Sequence, residues 1–95
     1  MRESQIEKKV VDYAKRNSVF TLKLSGQNDR GKADRIFMKK GKAIFVEFKA
    51  LGKLPTKLQQ RFLENRRADG FTAESVDSET KGISLLSKEF NLWQP

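Results

Sequence analysis

The chain has 95 residues, a formal net charge of +8 at pH 7, no cysteine and no histidine. Those absences exclude disulfide staples, thiolate or imidazole zinc sites and Ser-His-Asp triads, leaving carboxylates to hold any catalytic metal, which should then be hard, Mg²⁺ or Mn²⁺. One domain spanning residues 1–95 is expected; 25 Leu, Ile, Val and Phe exceed what disordered chains carry, but with 34% charged residues the core is thin and a partner chain's help is anticipated.

Residues 3–16 lack Gly and Pro and read as an amphipathic helix, with Ile6, Val10, Tyr13 and Ala14 on one face and Val11 at its border. Glu3 and Glu7 fall inside the apolar arc. Glu3 sits in the first turn, where a solvated carboxylate complements the helix dipole. Glu7 is carried a turn further in and needs a cation or a hydrogen-bonding partner. Asn17-Ser18 breaks the helix, and residues 19–24 read as a strand with Phe20, Leu22 and Leu24 on its inner face. The polar stretch 25–33, with two glycines, is either a flexible connection or a DNA-facing loop whose Arg30 and Lys32 contact phosphate.

Asp34 then opens the apolar run Arg35-Ile36-Phe37-Met38, and Lys39-Lys40-Gly41-Lys42 reads as a hairpin turn into residues 43–50. Alternation in that second strand puts Ile44, Val46 and Phe48 on one face and Phe45, Glu47 and Lys49 on the other. Strand pairing brings Asp34 near Glu47 and Lys49. An ordinary ion pair would account for Glu47 and Lys49 alone; two converging carboxylates repel unless a hard divalent cation binds them.

Beyond Pro55, Thr56 is placed as N-cap of a helix over 57–69 that Gly70 closes, with Leu58, Phe62 and Leu63 as its packing stripe. Gln59, in its first turn, reads either as an exposed polar residue or as a contact to water, metal shell or DNA. A strand over 71–76 and a helix from about 79 to 90 complete an α-β-β-β-α-β-α order, and Trp93 is expected in core or interface packing. Between Arg30 and Arg67, twelve Lys/Arg face three acids, whereas the remainder is close to neutral. Positive charge concentrated around an acidic centre suits phosphate binding with metal-assisted chemistry, and Arg30, Lys32, Arg35, Lys53, Lys57 and Arg61 are the candidate DNA contacts. No apolar stretch reaches membrane-spanning length, the amino terminus resembles no signal peptide, and an intracellular location is expected, a bacterial host's cytoplasm if the chain is phage-encoded.

Asp34-x12-Glu47-x-Lys49 after a helix bearing Glu7 resembles the PD-(D/E)XK nuclease superfamily, with Ala33-Asp34 replacing Pro-Asp. Gly31-Lys32-Ala33-Asp34-Arg35, Val46-Glu47-Phe48-Lys49-Ala50 and Thr56-x-x-Gln59 are similar to the VRR-NUC family of virus-type replication-repair nucleases. The resemblance implies an α/β, restriction-endonuclease-like fold, a mixed sheet flanked by helices. It also implies a metal-dependent DNA nuclease, with small members acting as homodimers on Holliday junctions. By the same resemblance Glu7, Asp34, Glu47 and the Phe48 carbonyl would hold Mg²⁺ or Mn²⁺, Lys49 would orient the attacking water or stabilise the phosphorane, and Gln59 would support the site. The alternatives are a flap or nicking nuclease of the same family and a non-catalytic basic DNA-binding module.

Overall fold

The computed structural model describes residues 1–24, 31 and 33–92. Helix α1 (Glu3–Arg16) leads into strand β1 (Phe20–Lys23), the hairpin strands β2 (Arg35–Lys39) and β3 (Lys42–Phe48), helix α2 (Lys57–Ala68), strand β4 (Thr72–Val76) and helix α3 (Glu79–Phe90). The four strands lie in the order β1-β2-β3-β4, antiparallel except for the parallel β3–β4 pair that the α2 crossover makes possible. The element order and the alternating faces of β3 match the sequence reading.

Lys40 and Gly41 form the two-residue hairpin turn with φ of 50° and 81°, the double left-handed geometry that follows the twist of the flanking strands. It pairs Lys39 with Lys42, Arg35 with Val46, and so sets Asp34 at the next rung beside Glu47. One sheet face carries Phe37, Ile44, Val46 and Phe48 into the main core, against Ile6, Val10 and Ala14 of α1 and Leu86 and Phe90 of α3. These two helices approach closely because Gly82 has no side chain: a Cβ there would stand 2.5 Å from Val10 Cγ2. On the opposite face α2 packs on β3 and β4, with Leu63, Ala33 and Ala73 buried and Phe45 stacked edge-on against Phe62 at 5.7 Å.

Two packing expectations are corrected. Phe20 and Leu22 do not face inward but are 57% and 51% exposed, because β1 is an edge strand and alternation gives its buried side to Val19 and Thr21. Of the α2 stripe only Leu63 is fully buried; Leu58 is exposed, since α2 leans toward β4 rather than across the whole sheet. Trp93 lies outside the described residues. Among those described, no helix is long and apolar enough to cross a membrane.

Candidate active site

Strands β2 and β3 position the centre. Glu47, the sole buried charged residue among the described residues, is 1% exposed on β3. Asp34, just before β2, accepts a 2.7 Å hydrogen bond from the Phe48 backbone N–H through Oδ2. This contact orients the carboxylate across the hairpin toward Glu47. Lys49 Nζ returns to Glu47 Oε2 at 3.3 Å, while the Lys49 N–H donates to the Val76 carbonyl at 2.9 Å and keeps the end of β3 zipped to β4.

A third carboxylate completes the cluster, and it is Glu3. Glu3, Asp34 and Glu47 each offer an oxygen within 4.8 Å of the others. Glu7 is placed differently: Arg35 Nε donates to its Oε2 at 2.6 Å, and Lys23 Nζ lies 3.6 Å from the same oxygen. Near-helical spacing puts Glu3 and Glu7 on one face of α1, but the register pairing Lys23 with Arg35 raises both cations beneath Glu7. The sequence reading preferred Glu7 for this place, with Glu3 one turn before it as the other candidate; it is Glu3 that the structure groups with Asp34 and Glu47.

Burial and mutual repulsion set the electrostatics of the cluster. Burial, and then the charge of Asp34, push the Glu47 carboxyl from 4.5 up to about 7. Desolvation also raises Asp34, opposed by the Phe48 hydrogen bond, and raises Glu3, with Asp34 adding repulsion. Glu47 Oε1 is buried with no hydrogen-bond partner among the described residues. Three carboxylates with oxygens at mutual ligand spacing, and the orphaned Oε1 of Glu47, fit a hard divalent cation and offer no nitrogen or sulfur for a soft one.

Gln59, read from sequence either as an exposed polar residue or as a site contact, caps α2. Its Oε1 accepts the Thr56 N–H at 2.9 Å and its own N–H donates to Thr56 Oγ1 at 3.2 Å, a reciprocal cap on α2. Lys53, Lys57 and Arg61 are exposed on α2 and the loop before it, and Arg35 is half-buried on Glu7. Arg30 and Lys32 lie outside the described residues. A concavity of about 580 Å³ lies at the hairpin turn, and none of the carboxylates lines it.

Solved structures share this architecture. One, described as a "VRR_NUC domain", has a TM-score of 0.78 and 23% identity, over 93% of this chain and 96% of that one. Another, a "VRR_NUC domain protein", has a TM-score of 0.81 and 16% identity, over 99% and 92%. No protein-family model matches the chain, and neither does any curated protein. The chain has the restriction-endonuclease-like fold of the VRR_NUC domain structures.

Proposed function

We propose that the protein is a metal-dependent DNA endonuclease of the PD-(D/E)XK type. The observation that carries this reading is the convergence of Glu3, Asp34 and Glu47, with Lys49 3.3 Å from Glu47. Glu3, Asp34 and Glu47 would hold one or two Mg²⁺ or Mn²⁺, with the Phe48 carbonyl at the same strand end as a further oxygen. A cation so held supplies charge neutralisation to the scissile phosphodiester and acidity to the attacking water. The protein's own part falls to Lys49. Its ammonium, anchored by Glu47 and only 15% exposed, donates hydrogen bonds to the attacking water and to the phosphorane oxygens as negative charge builds there. The basic residues of α2, Lys57 and Arg61, bind the DNA backbone, and Lys53 before the helix extends that surface.

Branched DNA of the Holliday-junction kind is the preferred substrate in this reading, cut by a homodimer whose two-fold axis matches the junction's. The competing reading, a basic binding module with an ordinary Glu47–Lys49 ion pair, leaves both Glu3 and the orphaned Glu47 oxygen without a role. Cleavage of junction, flap and linear duplex DNA in Mg²⁺, Mn²⁺ and EDTA decides between them. Metal-dependent products are expected, with Glu47→Gln and Lys49→Ala abolishing cleavage while DNA binding persists. Retained cleavage in Glu47→Gln would overturn the mechanism.

A further inference from the structure

Beside the carboxylate centre lies a second polar feature that the proposed reaction leaves unused: a groove of about 410 Å³ between α1 and the β1–β2 edge. Its lining carries Lys8, Lys15, Lys23 and Arg35 against Glu7 and Asp12. Asp12 is spanned by Lys8 at 2.9 Å along the helix. Glu7 is only 13% exposed; its Oε2 accepts the Arg35 Nε hydrogen bond and is ion-paired with Lys23 Nζ at 3.6 Å. Arg35 is fixed further by an Nη1 hydrogen bond of 3.4 Å to Thr21 Oγ1, whose hydroxyl in turn donates to the Ile36 carbonyl at 3.1 Å. Glu7–Arg35 is thus a packed anchor. Lys23, by contrast, is 56% exposed, and beyond its 3.6 Å ion pair with Glu7 its ammonium is open to solvent.

We infer that this groove carries the DNA backbone beside the carboxylate centre, with Lys23 contacting a phosphate and Glu7 as the positioning residue that holds Lys23 and Arg35 toward it. Lys23 stands next to the centre in the sheet: it pairs with Arg35, the residue after Asp34, and the following Leu24 N–H donates to the Asp34 carbonyl at 2.8 Å. A phosphate at Lys23 would therefore neighbour the one at the carboxylates along the same strand. The net positive lining gives the attraction, and the half-buried Glu7 gives the geometry. The inference rests on the nuclease reading for the identity of the polyanion as DNA.

The test uses fluorescence anisotropy with a labelled duplex of about two helical turns in EDTA, and calorimetric titration of Mn²⁺ into the protein alone. Lys23→Ala should weaken DNA binding about fivefold and lower the log-log salt slope by about one, with Lys23→Arg restoring both. Glu7→Gln removes a negative charge, so simple electrostatics would tighten binding; a positioning role predicts that binding weakens instead, with Mn²⁺ affinity little changed. Unchanged binding in Lys23→Ala, tighter binding in folded Glu7→Gln, or loss of Mn²⁺ binding in Glu7→Gln with DNA affinity kept would each overturn the inference. Should the wild type bind DNA but never cut it, the nuclease reading fails while these binding measurements still decide the groove. A wild type that binds no DNA overturns both.

Discussion

Glu7 Oε2 receives the Arg35 Nε hydrogen bond at 2.6 Å, a contact that ties this first-helix carboxylate to the β1–β2 cations. With Glu7 committed to the β1–β2 cations, Glu3 is left to close the triangle with Asp34 and Glu47. Glu3→Gln should therefore depress cleavage by orders of magnitude and weaken Mn²⁺ binding, whereas Glu7→Gln should keep its metal. Cleavage rate against Mn²⁺ concentration for both folded variants checks this; a metal requirement shifted only in Glu7→Gln would reverse the assignment.

The pH dependence of stability follows from Glu47. Its folded value of about 7 lies above the ordinary 4.5, so the neutral carboxyl favours the folded state. That contribution is full below about pH 4.5 and is lost as pH rises through 7, with Asp34 and Glu3 shifted in the same direction. At about 1.4 kcal/mol per unit, the Glu47 share is of order 3 kcal/mol at most. In EDTA, Glu47→Gln should melt above the wild type at pH 8 and near it at about pH 4.5, and Mg²⁺ should narrow the gap at pH 8. Equal melting temperatures at pH 8 would show that Glu47 ionises without cost.

The reciprocal cap on α2 separates two roles for Gln59. Thr56→Ala should cost about 1 kcal/mol by leaving the Gln59 N–H without its acceptor. Gln59→Glu keeps a carboxyl oxygen for the Thr56 N–H, so stability and cleavage should both stay near wild type. Lost cleavage at unchanged melting temperature would instead place Gln59 in the reaction.

Dimerisation is expected through the apolar face that α2 does not cover. Phe20 and Leu22 are exposed there, and cross-strand pairing sets them beside Met38 and Ile36. Sedimentation equilibrium at micromolar concentration should give a dimer, and a double Phe20→Ser, Leu22→Ser variant a folded monomer. A wild-type monomer, with and without a four-way junction, would count decisively against the homodimer.

Local pattern was enough for most of the fold and for all of the centre but its helix carboxylate. Period-2 alternation in β3 and the Lys-Gly hairpin turn put Asp34, Glu47 and Lys49 together, because a hairpin's register follows from its turn and its hydrophobic face. The caps at Thr56 and Gly70 bounded α2 for the same local reason. What a single strand or helix cannot encode is which neighbour covers it. Periodicity placed Glu3 and Glu7 on one face of α1 without ranking them; only the sheet's register, which lifts Lys23 and Arg35 under Glu7, assigned one to the cations and the other to the carboxylates. The apolar side of β1 was likewise legible, but its exposure was decided by strand order and by where α2 came to rest, since burial belongs to the assembled layers rather than to any one of them.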